Sequence, residues 1–343
     1  MKIAEATLEK KKLIMRGLER DRLPWWQHWR DLADMYLPRR YVWLLSEKER
    51  VKRIARNTNI LDATGTQAAR VLASGMMNGV TSPSRPWFKL RLAGAGEIPD
   101  LPTRVWLEDV ERRMQLVMAE SNFYNSLAVM YLDLVLFGTA ANIIYEDFDA
   151  VIHCFNPALG EYYMAQDAQH RVNTFARKFT YKVHQIVEKF GLENCSDHVK
   201  NAYNAANDRL MEDVSICHLL EPNINPDKSV PSRFKWRECY WEEANNKPDE
   251  VLLEKGYREF PVLAPRWELV GNDAYGSSPA MDALGDVIQL QHETKRKGQS
   301  LDYMVRPPMV ADVQLEHRPS AMLPGGLTFI TGQNNVGMKP AYQ

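Results

Sequence analysis

The sequence has no long apolar run, no surplus of either charge and few cysteines. It also lacks the short motifs that announce a nucleotide or metal site. None of its 343 residues belongs to an uninterrupted apolar stretch of the ~18–20 residues that a membrane-crossing helix needs. The N-terminus, MKIAEATLEKKKLIMRG, lacks the apolar centre of a signal peptide. No membrane partner is therefore predicted. Lys and Arg number 43 against 44 Asp and Glu, a formal net charge of −1. A protein that reads DNA by gripping phosphates would carry a basic excess, so a sequence-specific reader is disfavoured. The four cysteines, Cys154, Cys195, Cys217 and Cys239, show no CxxC spacing. They are expected to be reduced and structural. GxxxxGK[ST], a strand-to-helix GxGxxG, HExxH and EF-hand loops are all missing, which removes the usual sequence grounds for ATP hydrolysis, dinucleotide binding or a metal centre. His153-Cys154 and Cys217-His218 could supply four ligands if brought together. Adjacent ligands on a strand point to opposite faces, however, and a metal is not expected. Numerous carboxylates are present, but nothing marks out a catalytic pair. No catalytic residue, metal or cofactor is predicted.

What the sequence does have is a sharply punctuated unit at residues 59–92. Leu61, Ala68, Leu72, Gly75, Met76 and Gly79 recur near one helical face, and small residues there would let a neighbour approach closely. Ser82-Pro83-Ser84-Arg85-Pro86 cannot continue a helix. Residues 87–92 then alternate, with Phe88, Leu90 and Leu92 opposite Trp87, Lys89 and Arg91, which predicts a half-buried strand.

Before this unit, residues 3–22 read as a charged helix with Leu8, Met15 and Leu18 inward. Pro24 suits the first turn of a second helix, along which Trp25, Trp29, Leu32 and Tyr36 recur. That stripe predicts core packing. A base-stacking surface would need exposed aromatics among uncompensated basic residues, and Asp31 and Asp34 offset Arg30, Arg39 and Arg40. Residues 39–59 read as a polar excursion and 94–102 as a loop. Two helices follow as an antiparallel pair. The first spans residues 101–119, with Trp106, Val110, Met114 and Val117 on one side. The second starts at Ser121 or Asn122, buries Phe123, Leu127, Met130 and Leu134, and closes at Gly138. From Thr139 the period changes to two. A hairpin is predicted across Asp147-Phe148-Asp149, then strands at 161–165 and 171–182, short helices at 184–190 and 197–207, and strands at 214–221, 233–241 and 250–255. These later strands predict a small antiparallel sheet or barrel. The fold class is α+β.

Residues 277–303 form the second informative stretch. Ser277 or Ser278 caps it and Pro279 opens it. A helix throughout would be about 40 Å long at ~1.5 Å per residue. Met281, Leu284, Val287, Ile288 and Gln291 give its first half an apolar side. The second half, from Gln291 to Ser300, has almost none and carries Lys295-Arg296-Lys297. A helix polar all round belongs in solvent or in an assembly rather than in a monomer core. Its basic run reads as a solvated or salt-bridged face, or as a weak contact for DNA phosphates. Arg306-Pro307-Pro308 ends the helix and starts an extended segment.

Several runs taken together resemble the head-to-tail connector (portal) family of short-tailed bacteriophages. They are Leu61-Asp62-Ala63-Thr64-Gly65, Leu72-Ala73-Ser74-Gly75-Met76, Gly79-Val80-Thr81-Ser82-Pro83-Ser84-Arg85-Pro86-Trp87-Phe88, the upstream Trp25…Trp29-Arg30-Asp31…Tyr36-Leu37-Pro38-Arg39-Arg40, and the downstream Ala274-Tyr275-Gly276-Ser277-Ser278-Pro279-Ala280-Met281-Asp282-Ala283-Leu284. The resemblance implies a portal-like fold in four parts. Residues 1–138 would be the helical part of the wing, 139–276 its α/β body with antiparallel strands, 277–304 the first stem helix, and 305–343 the start of the clip. The second stem helix and later segments of the family are not in this sequence, so the C-terminal part of the fold is expected to be absent. It implies a structural, non-enzymatic virion protein: a twelve-copy ring at one capsid vertex through which double-stranded DNA enters and leaves without sequence preference. The implied partners are sister copies, the terminase large subunit, scaffold and capsid proteins, and tail or adaptor proteins. The implied location is the virion, by way of the host cytoplasm. Asp62, Gly65, Gly75, Gly79, Pro83, Arg85, Pro86, Trp87, Tyr275, Gly276 and Pro279 would be structural, and Lys295, Arg296, Lys297 and Arg306 would lie near the channel and DNA. The alternatives are a neck or adaptor protein that binds a portal, or an enzyme with an unrecognised site.

Overall fold

The computed structural model describes residues 2–44, 60–92, 100–205, 208–226, 229–244, 251–306, 309–310 and 339–340. Its contacts divide the chain into two units, Met1–Asn57 with Ala63–Leu284, and Thr58–Asp62 with Gly285–Gln343.

In the first unit the helices are α1 (Lys2–Tyr36), α2 (Pro38–Tyr41), α3 (Thr64–Val80), α4 (Leu101–Glu120), α5 (Phe123–Phe137), α6 (Val183–Phe190), α7 (Asp197–Asn204) and the single turn α8 (Pro279–Asp282). The strands are β1 (Asn142–Asp147), β2 (Val151–Phe155), β3 (Tyr162–Gln166), β4 (Val172–Lys182), β5 (Asp213–Pro222), β6 (Trp236–Glu242), β7 (Leu253–Tyr257) and β8 (Val262–Leu263). Strands β3 to β7 form an antiparallel meander in sequence order, an open sheet rather than a barrel, and β2-β1-β8 form a smaller antiparallel sheet.

The five-stranded sheet is covered on both faces, as the alternation along β5 shows. Cys217 and Leu219 join Leu8, Met15 and Leu18 of α1 in one cluster, while Val214 and Ile216 join Val183, Ile186, Phe190, Val199 and Ala202 of α6 and α7 in another. Successive strand residues point to opposite faces, so one strand fills both cores.

Pro24 does not start a second helix. It lies exposed inside the continuous α1, where the missing N–H frees one carbonyl on the solvent side without interrupting packing. The aromatic stripe does pack inward: Trp29, Leu32 and Tyr36 are buried. The paired-helix expectation needs correction, because no residue of α4 is buried and Trp106 is 59% exposed. Helix α5 instead has α3 as its principal helical neighbour. Asn122 does not cap α5 with its side chain. Its amide acts as a β2 ladder partner, donating to the Cys154 carbonyl at 2.7 Å and accepting from the Cys154 N–H at 2.8 Å.

The second unit holds α9 (Leu284–Val305, whose first residue belongs to the first unit) and the short antiparallel pair β9 (Met309–Val310) and β10 (Lys339–Pro340). The single helix expected over 277–303 is divided into α8 and α9 by Ala283, a turn residue with φ −84° and ψ −1° whose N–H is shared between the Pro279 and Met281 carbonyls. Residues 45–59 and 93–99, the expected excursion and most of the expected loop, lie outside the described residues, as does most of the tail.

Candidate assembly site

The motif residues around Tyr275 gather at a crossing of two main chains. Helix α5 ends at Gly138, whose φ of +67° is the left-handed conformation that glycine adopts without a Cβ clash. The chain leaves the helix directly against residues 275–278. Gly276 N–H donates to Thr139 Oγ1 at 2.8 Å, Trp267 N–H to the Gly138 carbonyl at 2.8 Å, and Ser278 Oγ–H to the Leu136 carbonyl at 2.7 Å. Ser278 also accepts the Met281 N–H at 3.1 Å, so it caps the turn that Pro279 opens. Tyr275 is buried edge-on to Trp29, its centroid 5.1 Å away, and its hydroxyl accepts the Met164 N–H at 3.2 Å. Burial pushes the Tyr275 phenol up to about 12. Tyr36 closes the crossing by donating to the Ala280 carbonyl at 3.1 Å.

Charges buried near this crossing gave no sequence signal. Arg22 reaches the carbonyls of Gly160 and Tyr162 at 3.0 and 2.9 Å, with its guanidinium 3.9 Å from the Tyr163 ring centroid. Asp133 of α5 meets Arg40 of α2 at 3.0 Å; burial drives its carboxyl up to about 6 even though Arg40 opposes the rise. In the sheet, His218 Nε2 lies 2.8 Å from Glu238 Oε1, off-line for a good hydrogen bond, and stacks on Tyr240. The His218 and Glu238 side chains are 1% and 4% exposed. This pair is walled off from solvent and offers a substrate no acid–base chemistry.

The residues of the 59–92 unit are not gathered at one place. Gly65 is buried with Ala69 and Ala73, so the packed face of α3 is rotated from the expected one. Leu61, Ala68, Leu72, Gly75 and Gly79 are exposed, and a Cβ on either glycine would meet nothing within 4 Å. Close helix approach was assigned to the wrong side because two apolar stripes run along α3 and only one is covered. Residues 87–92 form no strand, and no strand among the described residues pairs with them. The Leu90 N–H turns to Glu111 Oε2 at 3.3 Å, and the Trp87 indole N–H to the Tyr124 hydroxyl at 3.2 Å. Pro83, Arg85 and Pro86 are exposed, with Arg85 donating to the Asn78 carbonyl at 3.1 Å.

In the second unit Asp62 and Gln291 meet. Gln291 Oε1 accepts the N–H groups of Leu61 and Asp62 at 2.8 and 2.9 Å, and its Nε2–H donates to the Asp62 carbonyl at 2.8 Å. Every residue from Lys295 to Arg306 is exposed, Arg296 and Lys297 included. The polar stretch ends in Leu301, Tyr303, Met304 and Val305, which are also open to solvent. His153-Cys154 lies in the smaller sheet and Cys217-His218 in the larger one. No group of three or more metal-type ligands occurs among the described residues. All four cysteines are buried and unpaired. Among the described residues no helix is long and apolar enough to cross a membrane.

The described residues thus combine a mixed helix and antiparallel-sheet body, a tight glycine junction and a long helix exposed over its second half. The chain belongs to the bacteriophage head to tail connecting protein family, whose model matches residues 9–343. It is 41% identical over 350 residues to the probable portal protein of Bordetella phage BPP-1, covering 99% of this chain, and 43% identical over 345 residues to the portal protein of Salmonella phage epsilon15, covering 98%. The chain spans 61% of the length of each of these relatives.

Proposed function

We propose that this chain builds the portal: a closed ring, twelve copies by family resemblance, at one capsid vertex. Double-stranded DNA would pass through it during packaging and ejection. The observation that carries the reading is α9. A helix whose side chains from 295 to 306 all lie in solvent, and whose last turn is apolar, has nothing covering that stretch among the described residues, and in this reading it is completed by copies of itself. In this reading residues 1–138 and 139–276 are the wing, 277–304 the first stem helix and 305–343 the start of the clip. Lys295, Arg296, Lys297 and Arg306 face the channel. A near-neutral chain suits a conduit, because tight phosphate binding at many subunits would hold the DNA still. The ring would dock the terminase large subunit, contact scaffold and capsid proteins during assembly in the host cytoplasm, and hold tail or adaptor proteins in the virion. The work is geometric rather than catalytic: heterologous contacts close into a ring when the rotation between neighbours closes. Negative-stain imaging of the protein isolated from phage particles tests this. Closed rings with a central channel are expected; a monomer, or an open filament, would overturn it.

A further inference from the structure

The tip of the β1–β2 hairpin carries a conspicuous exposed aromatic. Phe148 is fully exposed, 104% of its reference area, and stands among three acids, Glu146, Asp147 and Asp149. Solvent exposure of an entire phenyl ring in a soluble body forgoes ~150–250 Å² of burial. The turn that presents it is held in shape. Asp147 Oδ1 accepts the Asp149 N–H at 2.9 Å, and Val151, which closes the turn, has φ +66°, a left-handed conformation strained for a β-branched residue.

A second feature of the same unit has the complementary chemistry. A groove of about 470 Å³ runs between α3 and α5, with Ala73, Met77, Ala128 and Leu132 as its apolar part, Ser74, Asn78, Ser82 and Ser84 as its polar part, and Arg70 among the lining. Residues 63–92, which supply most of it, contain four cations (Arg70, Arg85, Lys89 and Arg91), all exposed, and no acid. The volume lies in the range, ~300–1,000 Å³, that accepts small organic groups. An apolar knob ringed by carboxylates and a mixed groove with an apolar floor, in an acid-free segment that carries four cations, are complementary in charge.

We propose that Phe148 of one copy of this chain seats in the α3–α5 groove of the next, with Glu146 and Asp149 facing Arg70 and Arg85 across the contact. The knob and the slot are different patches, so the contact is heterologous and repeats from copy to copy. A rigid aromatic anchor with a charged rim is the usual energetic centre of such a contact, and the charges set its register. The inference rests on the portal reading and adds the residues that join neighbours.

Two measurements on the full-length protein test it. In the first, the concentration at half-assembly is read by mass photometry. Phe148→Asp should raise it about tenfold or more. Arg70→Glu should raise it too, and Asp149→Arg should restore assembly in the Arg70→Glu background. Asp147, which shapes the turn, is left intact. Thermal unfolding of Phe148→Asp should match wild type at concentrations too low for either to assemble, since the ring touches nothing in its own chain. In the second, Phe148→Cys protein is mixed with Met77→Cys protein under mild oxidation. The native thiols are buried and do not compete. A disulfide-linked pair should form faster than with Ile224→Cys, an exposed control on another loop. If wild type forms rings but Phe148→Asp assembles equally well, or the 148–77 link forms no faster than the control, the inference is wrong and the portal reading stands. Cross-linking in particles that places a non-identical chain in the groove also overturns it. If wild type forms no ring at all, both fall.

Discussion

Gly138 and Gly276 cross so closely that neither can carry a side chain. A Cβ on Gly276 would lie 2.5 Å from the Gly138 carbonyl oxygen, and one on Gly138 would overlap the Gly276 main chain. Both obstacles are backbone, which cannot swing aside as a side-chain end can. The crossing therefore fixes where the chain enters α8, immediately ahead of α9, relative to α5 and the aromatic cluster at Trp29.

Gly276→Ala and Gly138→Ala should each destabilise the first unit by roughly 3 kcal/mol or more, through overpacking against main chain. Gly271 is the control. It also has a positive φ, +59°, but a Cβ there meets nothing within 4 Å. Gly271→Ala should cost only about 1 kcal/mol of backbone strain. Thermal or urea unfolding of the three variants checks the order; equal losses at all three would mean that dihedral preference, not the close approach, governs the junction.

Asp133 should make stability fall as pH rises over a window where carboxylates usually do the opposite. Burial raises its folded pKa to about 6, above the ~3.9 of an unfolded Asp. Between those values the native state holds the proton more tightly than the unfolded chain. Stability from this group is complete below about pH 4 and lost as pH rises through 6, roughly 3 kcal/mol in all. One oxygen, Oδ1, has no hydrogen-bond partner among the described residues, and Arg40 pairs with the other. Asp133→Asn cannot titrate, so the difference in unfolding free energy between wild type and variant should slope between pH 4 and 6 and flatten outside it. A flat difference throughout would show the carboxyl to be ordinary.

The His218–Glu238 pair should act in the opposite direction. Burial alone would raise the Glu238 carboxyl, but the facing His218 imidazole and the hydrogen bonds donated by Tyr240 and Tyr257 outweigh it and hold the pKa below the usual value. Burial lowers the His218 imidazole, against the pull of Glu238. A depressed carboxylate contributes stability above its unfolded pKa and loses it as pH falls. A depressed histidine likewise favours folding while neutral and opposes it once protonated. Both terms make the sheet acid-sensitive. Glu238→Ala leaves two phenols without their acceptor and a buried imidazole without the carboxylate that faces it, and should destabilise by about 3 kcal/mol. His218→Phe, which keeps the stacking on Tyr240, should shift the acid-unfolding midpoint to lower pH; an unchanged midpoint would place the acid-labile groups elsewhere.

Period-based reading succeeded where burial is one-sided and local. Leu8, Met15 and Leu18, the Phe123–Leu134 stripe, the Gly138 stop and the hairpin across Phe148 are all present because each is set within a few residues of itself. It failed on α3 and α4, whose apolar residues outnumber the neighbours that cover them among the described residues. Sequence cannot say which of two stripes finds a partner. The supposed strand at 87–92 failed for a related reason: alternation is a necessary pattern, but a strand also needs an edge to pair with. Arg22, Asp133 and Glu238 were illegible, since a buried charge differs from a surface charge only in partners more than 90 residues away, or across a sheet.

Gln291 offers the most local test of the second unit. Within the largely polar α9, it is nonetheless 7% exposed, because its amide replaces a missing strand: one oxygen takes two N–H groups and its nitrogen feeds a carbonyl, all on residues 61–62. Gln291→Ala removes all three bonds at once and leaves those main-chain groups to find water. With about 1 kcal/mol net per bond, the local opening free energy should drop by roughly 2–3 kcal/mol. The Leu61 and Asp62 amides should then exchange with solvent ~30–150-fold faster, while amides in the five-stranded sheet keep their protection. Gln291→Glu separates hydrogen bonding from mere space filling. Its carboxylate still accepts the two N–H groups but, when ionised, cannot donate to the Asp62 carbonyl, so exchange at Leu61 and Asp62 should fall between wild type and the alanine variant. Identical rates in all three proteins would mean that residues 61–62 are held by something other than this side chain.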